Sequence, residues 1–189
     1  MRITIKTNFP AVQRQLDALR QEVADKALAR AVNATAAQGQ TAMSKEIRAE
    51  FNIPAAKVKE KLHVKKATFK KGRFNIEAEL YSKDRSGRRR AINLINFGAR
   101  KTKAGLSVKI RKSGGRTIVS MGFIGNKGRT AFKRTGPKRL PIAPLQTIDI
   151  PQMFNTKRIN SKVVKLIEAK FPQVFEREVA FALRQFNGG

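Results

Sequence analysis

Hydrophobic residues in the first fifty positions repeat at two different periods. Ile3 and Ile5 alternate with Arg2, Thr4 and Lys6, which is the pattern of a short strand with one buried face. Beyond Asn8 and Pro10, residues Val12, Leu16, Leu19, Val23, Ala27, Leu28, Val32, Ala36, Met43 and Ile47 recur at helical spacing, with alanine filling the gaps. This predicts one long helix over residues 10 to 50, or two with a break near Gly39. So much alanine implies close packing, either in an internal helix pair or at a subunit interface.

Asn52 and Pro54 predict a capped restart and a short helix from Ala55 to Leu62. Two β-like runs, His63 to Phe69 and Phe74 to Ser82, flank Lys70-Lys71-Gly72-Arg73 and read as a hairpin with a basic turn. In the second run Phe74, Ile76, Ala78 and Leu80 share one face, with Asn75, Glu77, Glu79 and Tyr81 on the other. Lys83 to Arg90 is a polar loop, and Ala91 to Phe97 a short apolar return. Leu106 to Arg111 against Thr117 to Phe123, around Ser113-Gly114-Gly115, predicts a second hairpin. Gly125 to Lys138 reads as an irregular basic loop, and the prolines between Arg139 and Pro151 allow only an edge strand there. Lys157 to Phe186 closes the chain as a helix that Pro172 is expected to kink or divide. The expected fold class is α+β. The long N-terminal helix (or two) and a C-terminal helix at about 157–187 pack on a small antiparallel sheet with long basic loops, in a single domain over residues 1–189.

Charge changes this picture in one region. The chain carries 41 Lys/Arg against 13 Asp/Glu, a net +28. Residues 83 to 139 alone hold 18 Lys/Arg and one acid, Asp84. Self-repulsion of that density opposes compaction, so something outside the chain is expected to compensate it, and nucleic acid is the simplest polyanion. The candidate contacts are Arg85, Arg88, Arg89, Arg90, Arg100, Lys101, Lys103, Lys109, Arg111, Lys112 and Arg116. No helix carries arginines along one face for reading bases, and there is no Trp and a single Tyr for stacking. Backbone electrostatics without sequence readout is what remains.

Catalytic chemistry is sparse. There is no cysteine, which removes disulfides, thiolate metal sites and thiol nucleophiles together. His63 is the single histidine and reads as a surface or packing residue. Glu77 and Glu79, on one strand face, read as salt-bridge partners of nearby lysines rather than an acid–base pair. The glycines of GFIGNKG lack the Gly-Lys-Ser/Thr ending and the following helix of a phosphate loop. No enzyme, cofactor or metal is expected. No apolar stretch is long enough to span a bilayer and the N-terminus has no apolar signal core, so a soluble protein made and used without export is expected.

Residues 130 to 154, TAFKRTGPKRLPIAPLQTIDIPQMF, carry a specific resemblance. Phe132-Lys133-Arg134-Thr135-Gly136, Arg139-Leu140-Pro141-Ile142 and Ile150-Pro151-Gln152-Met153-Phe154 resemble, in order, the signature of the minor tail protein Z (tail completion) family of tailed bacteriophages. Ala31-Val32-Asn33, Ile53-Pro54 and Val64-Lys65-Lys66-Ala67-Thr68 agree with it more loosely. The resemblance implies a structural subunit of the virion, made in the host cytoplasm, that completes the head-proximal end of the tail. It further implies a homo-oligomeric ring, expected to be hexameric, that joins tail to head. Expected partners are tail terminator, tail or neck proteins and the double-stranded genome, with no membrane. Phe132, Lys133, Arg134, Arg139, Leu140, Pro141, Ile142, Ile150, Pro151, Met153 and Phe154 would then dock on a neighbouring ring. The alternative is a free-standing, non-sequence-specific nucleic-acid-binding protein of ribosomal or chromatin type.

Overall fold

The structure is a computed structural model, and it describes residues 2–5, 21–70, 73–75, 77–82 and 91–187. The chain forms two compact units: Met1–Met43 with Leu62–Ser82 and Lys157–Gly189, and Ser44–Lys61 with Lys83–Thr156. The class is α+β. In place of one small sheet, the described strands form three three-stranded sheets and one two-stranded sheet, all antiparallel.

The first unit is built around α1 (Gln21–Glu50), which continues into the second unit. Ala24, Ala27, Leu28, Ala31, Val32, Thr35, Ala36 and Met43 form its buried stripe. Of the two readings, one long helix or two with a break near Gly39, the unbroken helix is the one observed over the described residues. A Cβ on Gly39 would lie 2.9 Å from Cδ1 and 3.2 Å from Cγ1 of Ile167. Ile167 belongs to α4 (Lys157–Asn187), so glycine here permits close helix approach, which offsets its poor helix propensity. Residues 10 to 20 of the expected helix lie outside the described residues. Of the kink or division expected at Pro172, the division is absent: α4 runs through it, flanked by buried Phe171, Val174 and Phe175, whose packing outweighs one lost backbone bond.

The sheet of this unit has the order β1 (Arg2–Ile5), β5 (Ala78–Ser82), β2 (Leu62–Lys65). Ile3, Leu62, Ala78 and Leu80 are buried, as the alternation requires. The hairpin continues as β3 (Thr68–Lys70) against β4 (Arg73–Asn75). The ladder ends at Lys65↔Glu79 and resumes at Thr68↔Asn75. Glu79 pairs at 3.5 Å with Arg2 across the sheet, and the lysine of the turn, Lys71, lies outside the described residues. Where the ladder is interrupted, Asn33 of α1 replaces a strand: its Nδ2 donates to the Ala67 carbonyl at 3.0 Å, and its Oδ1 accepts from the Ala67 N–H at 2.7 Å.

In the second unit α2 (Ala55–Lys59) starts at Pro54 with no side-chain cap. Asn52, expected to cap it, instead donates through Nδ2 to the carbonyls of Phe97 and Lys109 at 3.1 and 3.2 Å. Two inter-segment carbonyls needed a donor more than the helix needed a cap. A 3₁₀ turn (Leu94–Phe97) leads into the meander β6 (Arg100–Thr102), β7 (Gly105–Val108), β8 (Thr117–Val119). The second hairpin is therefore present but stops at Val119. Met121 (φ 58) turns the chain, and Phe123 joins another sheet.

That sheet occupies the segment expected to be an irregular loop. β10 (Thr130–Arg134) lies centrally between β9 (Gly122–Gly125) and the edge strand β11 (Ile142–Pro144). Asn126, Lys127 and Gly128 form the β9–β10 turn with φ of 50, 51 and 84. Ala131 is anchored as Ala67 is. Asn93 Nδ2 donates to its carbonyl at 3.0 Å and Asn93 Oδ1 accepts from its N–H at 2.8 Å, while the same Oδ1 also caps the 3₁₀ turn.

Asn33→Ala leaves two inward-facing backbone groups of Ala67 without partners, so a loss of about 2 kcal/mol in denaturant unfolding is expected. Gly39→Leu should cost about 1–3 kcal/mol by overpacking, and the same titration would show it.

Candidate polyanion and docking surfaces

Residues 91 to 148 contain 13 Lys/Arg and no Asp, Glu or His. The structure separates these cations into committed and available ones. Arg116 is committed. Its Nε donates to Ser107 Oγ at 2.8 Å, and its Nη2 to the carbonyls of Gly98 and Ser107 at 2.7 and 2.9 Å. It ties the start of β8 to β7 and to the turn before β6. Arg111 is partly committed, 3.9 Å from Glu50 and with its guanidinium 5.6 Å from the centre of the Phe51 ring.

Arg100, Lys101, Lys103 and Lys112 are exposed, and Lys109 is half-buried; among the described residues none of these five has an ion-pair partner. Arg100 and Lys101 lie on opposite faces of β6, an edge strand. Cations there also discourage pairing with another sheet edge. Arg85, Arg88, Arg89 and Arg90 lie outside the described residues. Two further cations that the charge pattern did not single out, Lys127 and Arg129, are exposed in the β9–β10 turn. Paired runs of alternating residues on either side of Gly125 and Gly128 were the signal for that hairpin.

The family-like segment 132–154 divides into surface and core. Asp149 caps α3 (Ile150–Phe154): its carboxylate accepts from Gln152 N at 2.7 Å, and Gln152 Oε1 accepts from Asp149 N at 3.0 Å. Ile150, Met153 and Phe154 are buried beneath that turn and Pro151 is half-buried. The three buried residues offer no surface to a neighbour; their place is in the core. The capping box Asp149-x-x-Gln152 is legible in the sequence and identifies the turn. Lys133, Arg134, Arg139, Leu140, Pro141 and Ile142 are exposed and Phe132 half-buried.

Among the described residues there is no group of three His, Asp or Glu able to hold a metal, and no helix long and apolar enough to cross a membrane. His63 stacks near Tyr81, ring centres 5.5 Å apart, as a packing residue of the first sheet.

Fold and composition together define a cation-rich α+β chain. The chain belongs to the prophage minor tail protein Z family, whose model matches residues 6–188. It is a structural protein of a bacteriophage tail. No curated protein and no solved structure matches it.

Arg116→Ala removes three hydrogen bonds made by a charged group and should lower unfolding free energy by about 2 kcal/mol, whereas Lys101→Ala should change it by less than about 0.5 kcal/mol. Paired denaturant titrations of the two variants check this.

Proposed function

We propose that the chain forms a closed ring at the head-proximal end of the tail, joins tail to head, and holds the leading end of the genome against its basic surface. The observation that carries this reading is the run from 91 to 148, where 13 cations meet no acid within the run and Glu50 reaches Arg111 from outside it. A ring multiplies that surface by its symmetry, six-fold in the expected case, so modest attraction per subunit becomes firm retention. Duplex DNA presents a regular line of phosphates, which suits lysines on an edge strand and requires no base contacts. Neighbouring terminator, tail or neck proteins complete the junction.

Electron-microscopic reconstruction of the tail end tests the placement: a ring at the head-proximal end with residues 100–112 lining its lumen is expected, and density for the chain elsewhere refutes it. DNA affinity measured over a salt series tests the role of the cations. In Lys101→Gln/Lys103→Gln the slope of log affinity against log salt should fall by about 0.9 for each phosphate that is no longer neutralised. Tight binding by the isolated monomer, with the chain absent from particles, would instead identify a free-standing nucleic-acid-binding protein.

A further inference from the structure

The register of the β9–β10–β11 sheet sorts its side chains onto two faces. Phe132 pairs with Phe123 and with Pro144, and Arg134 with Ile142; continuing the β9 register places Met121 opposite Arg134, where the Arg134 N–H donates to the Met121 carbonyl at 3.4 Å. Directly paired residues share a face, as do residues two apart, so Phe123, Phe132, Arg134 and Ile142 stand together, with Met121 in the turn before β9. A Cβ on Gly125 would lie 3.1 Å from the Phe132 ring, which puts this glycine on the same face. The opposite face carries Gly122, half-buried Ile124, buried Ala131 and, near its end, exposed Lys133, and at Gly122 it packs inward, since a Cβ there would lie 2.9 Å from Leu106 Cβ of β7. The first face is therefore the outer one. Leu140 precedes it and is 64% exposed, with Met121 at 46% and Ile142 at 38%.

We propose that this outer face is the docking surface for a different virion protein, one that offers an apolar patch rimmed by Asp and Glu. The inference deepens the tail reading and rests on it. Aliphatic side chains gain nothing from a phosphate backbone. The aromatic rings are already occupied: Phe123 and Phe132 stack on each other at 5.8 Å, and the Arg134 guanidinium sits 5.1 Å from the centre of the Phe123 ring. Unpaired bases would need those ring faces. A nucleic-acid partner is thus disfavoured on this face, although its rim is cationic. That rim, Lys127, Arg129, Lys138 and Arg139, has no acid in the surrounding run from 91 to 148. Placing the same face of a second copy against it would oppose cation to cation, so charge complementarity selects an acidic partner.

The test uses the full chain in particle-producing cells, with a benzophenone amino acid at Leu140 or, as a control, at Ile118 on β8. Irradiated particles are analysed by mass spectrometry. Adducts from Leu140, but not from Ile118, to an acidic segment of another virion protein are expected. Leu140 adducts to DNA or to a second copy, or none at all while the chain is present in the particle, overturn the docking assignment and leave the tail reading standing. A chain missing from particles overturns both. In parallel, Leu140→Lys/Ile142→Lys should lower infectious yield at least about tenfold, with the unfolding midpoint unchanged. An unaltered yield overturns the proposal.

Discussion

Short strands place a constraint on this protein that its asparagines satisfy. Described strands run from three to five residues, so ladders end soon after they begin and leave backbone groups facing inward. A buried N–H or C=O without a partner costs about as much as the hydrogen bond it fails to make. Asn33 and Asn93 each supply one acceptor and one donor to a single residue, Ala67 and Ala131 respectively, and Asn52 supplies a donor to two carbonyls. An amide side chain reproduces the pattern of a peptide group, so Asn33 serves Ala67 as a strand residue would, while Asn93 shares the Ala131 carbonyl with the Leu145 N–H. The bond from Asn93 to Ala131 holds the central strand of the outer sheet, and with it the spacing of the proposed docking face.

Arginine fills a second structural role where the fold has few acids to offer. Arg116 spends its guanidinium on two carbonyls and a hydroxyl. These neutral acceptors satisfy its donors without cancelling its charge. The unit thereby gains rigidity and retains its positive field, whereas the pairing of Arg111 with Glu50 gives up part of that field for an ion pair. Composition counts the two arginines alike; geometry does not.

Much of the framework was legible because its signals are periodic. The alanine-rich helix, the hairpin around residues 70–73, the β7–β8 pair and the closing helix all show in spacing. What failed depended on partners distant in sequence. Gly39 leaves one helix or two open until Ile167 is placed against it, and Asn52 reads as a cap until two carbonyls compete for its amide. The β9–β10 hairpin is obscured by its own charge: Lys133 and Arg134 make a central strand look like loop, although Ala131 in the same strand is fully buried. In the family-like segment, sequence alone did not separate Leu140, which is exposed, from Phe154, which is buried. Both are large and apolar within one motif, and only the capped turn at Asp149 sends the second inward.

The acid-free run from 91 to 148 also makes ionic strength act in two opposite directions. Added salt screens the repulsion among these cations, so it favours the folded unit, and it simultaneously releases any polyanion held against them. Dilute conditions reverse both effects, loosening the fold while tightening the grip. A bound polyanion removes this opposition, because it neutralises the same charges that strain the free subunit. A polyanion bound in this way would stabilise the folded unit as well as attach to it.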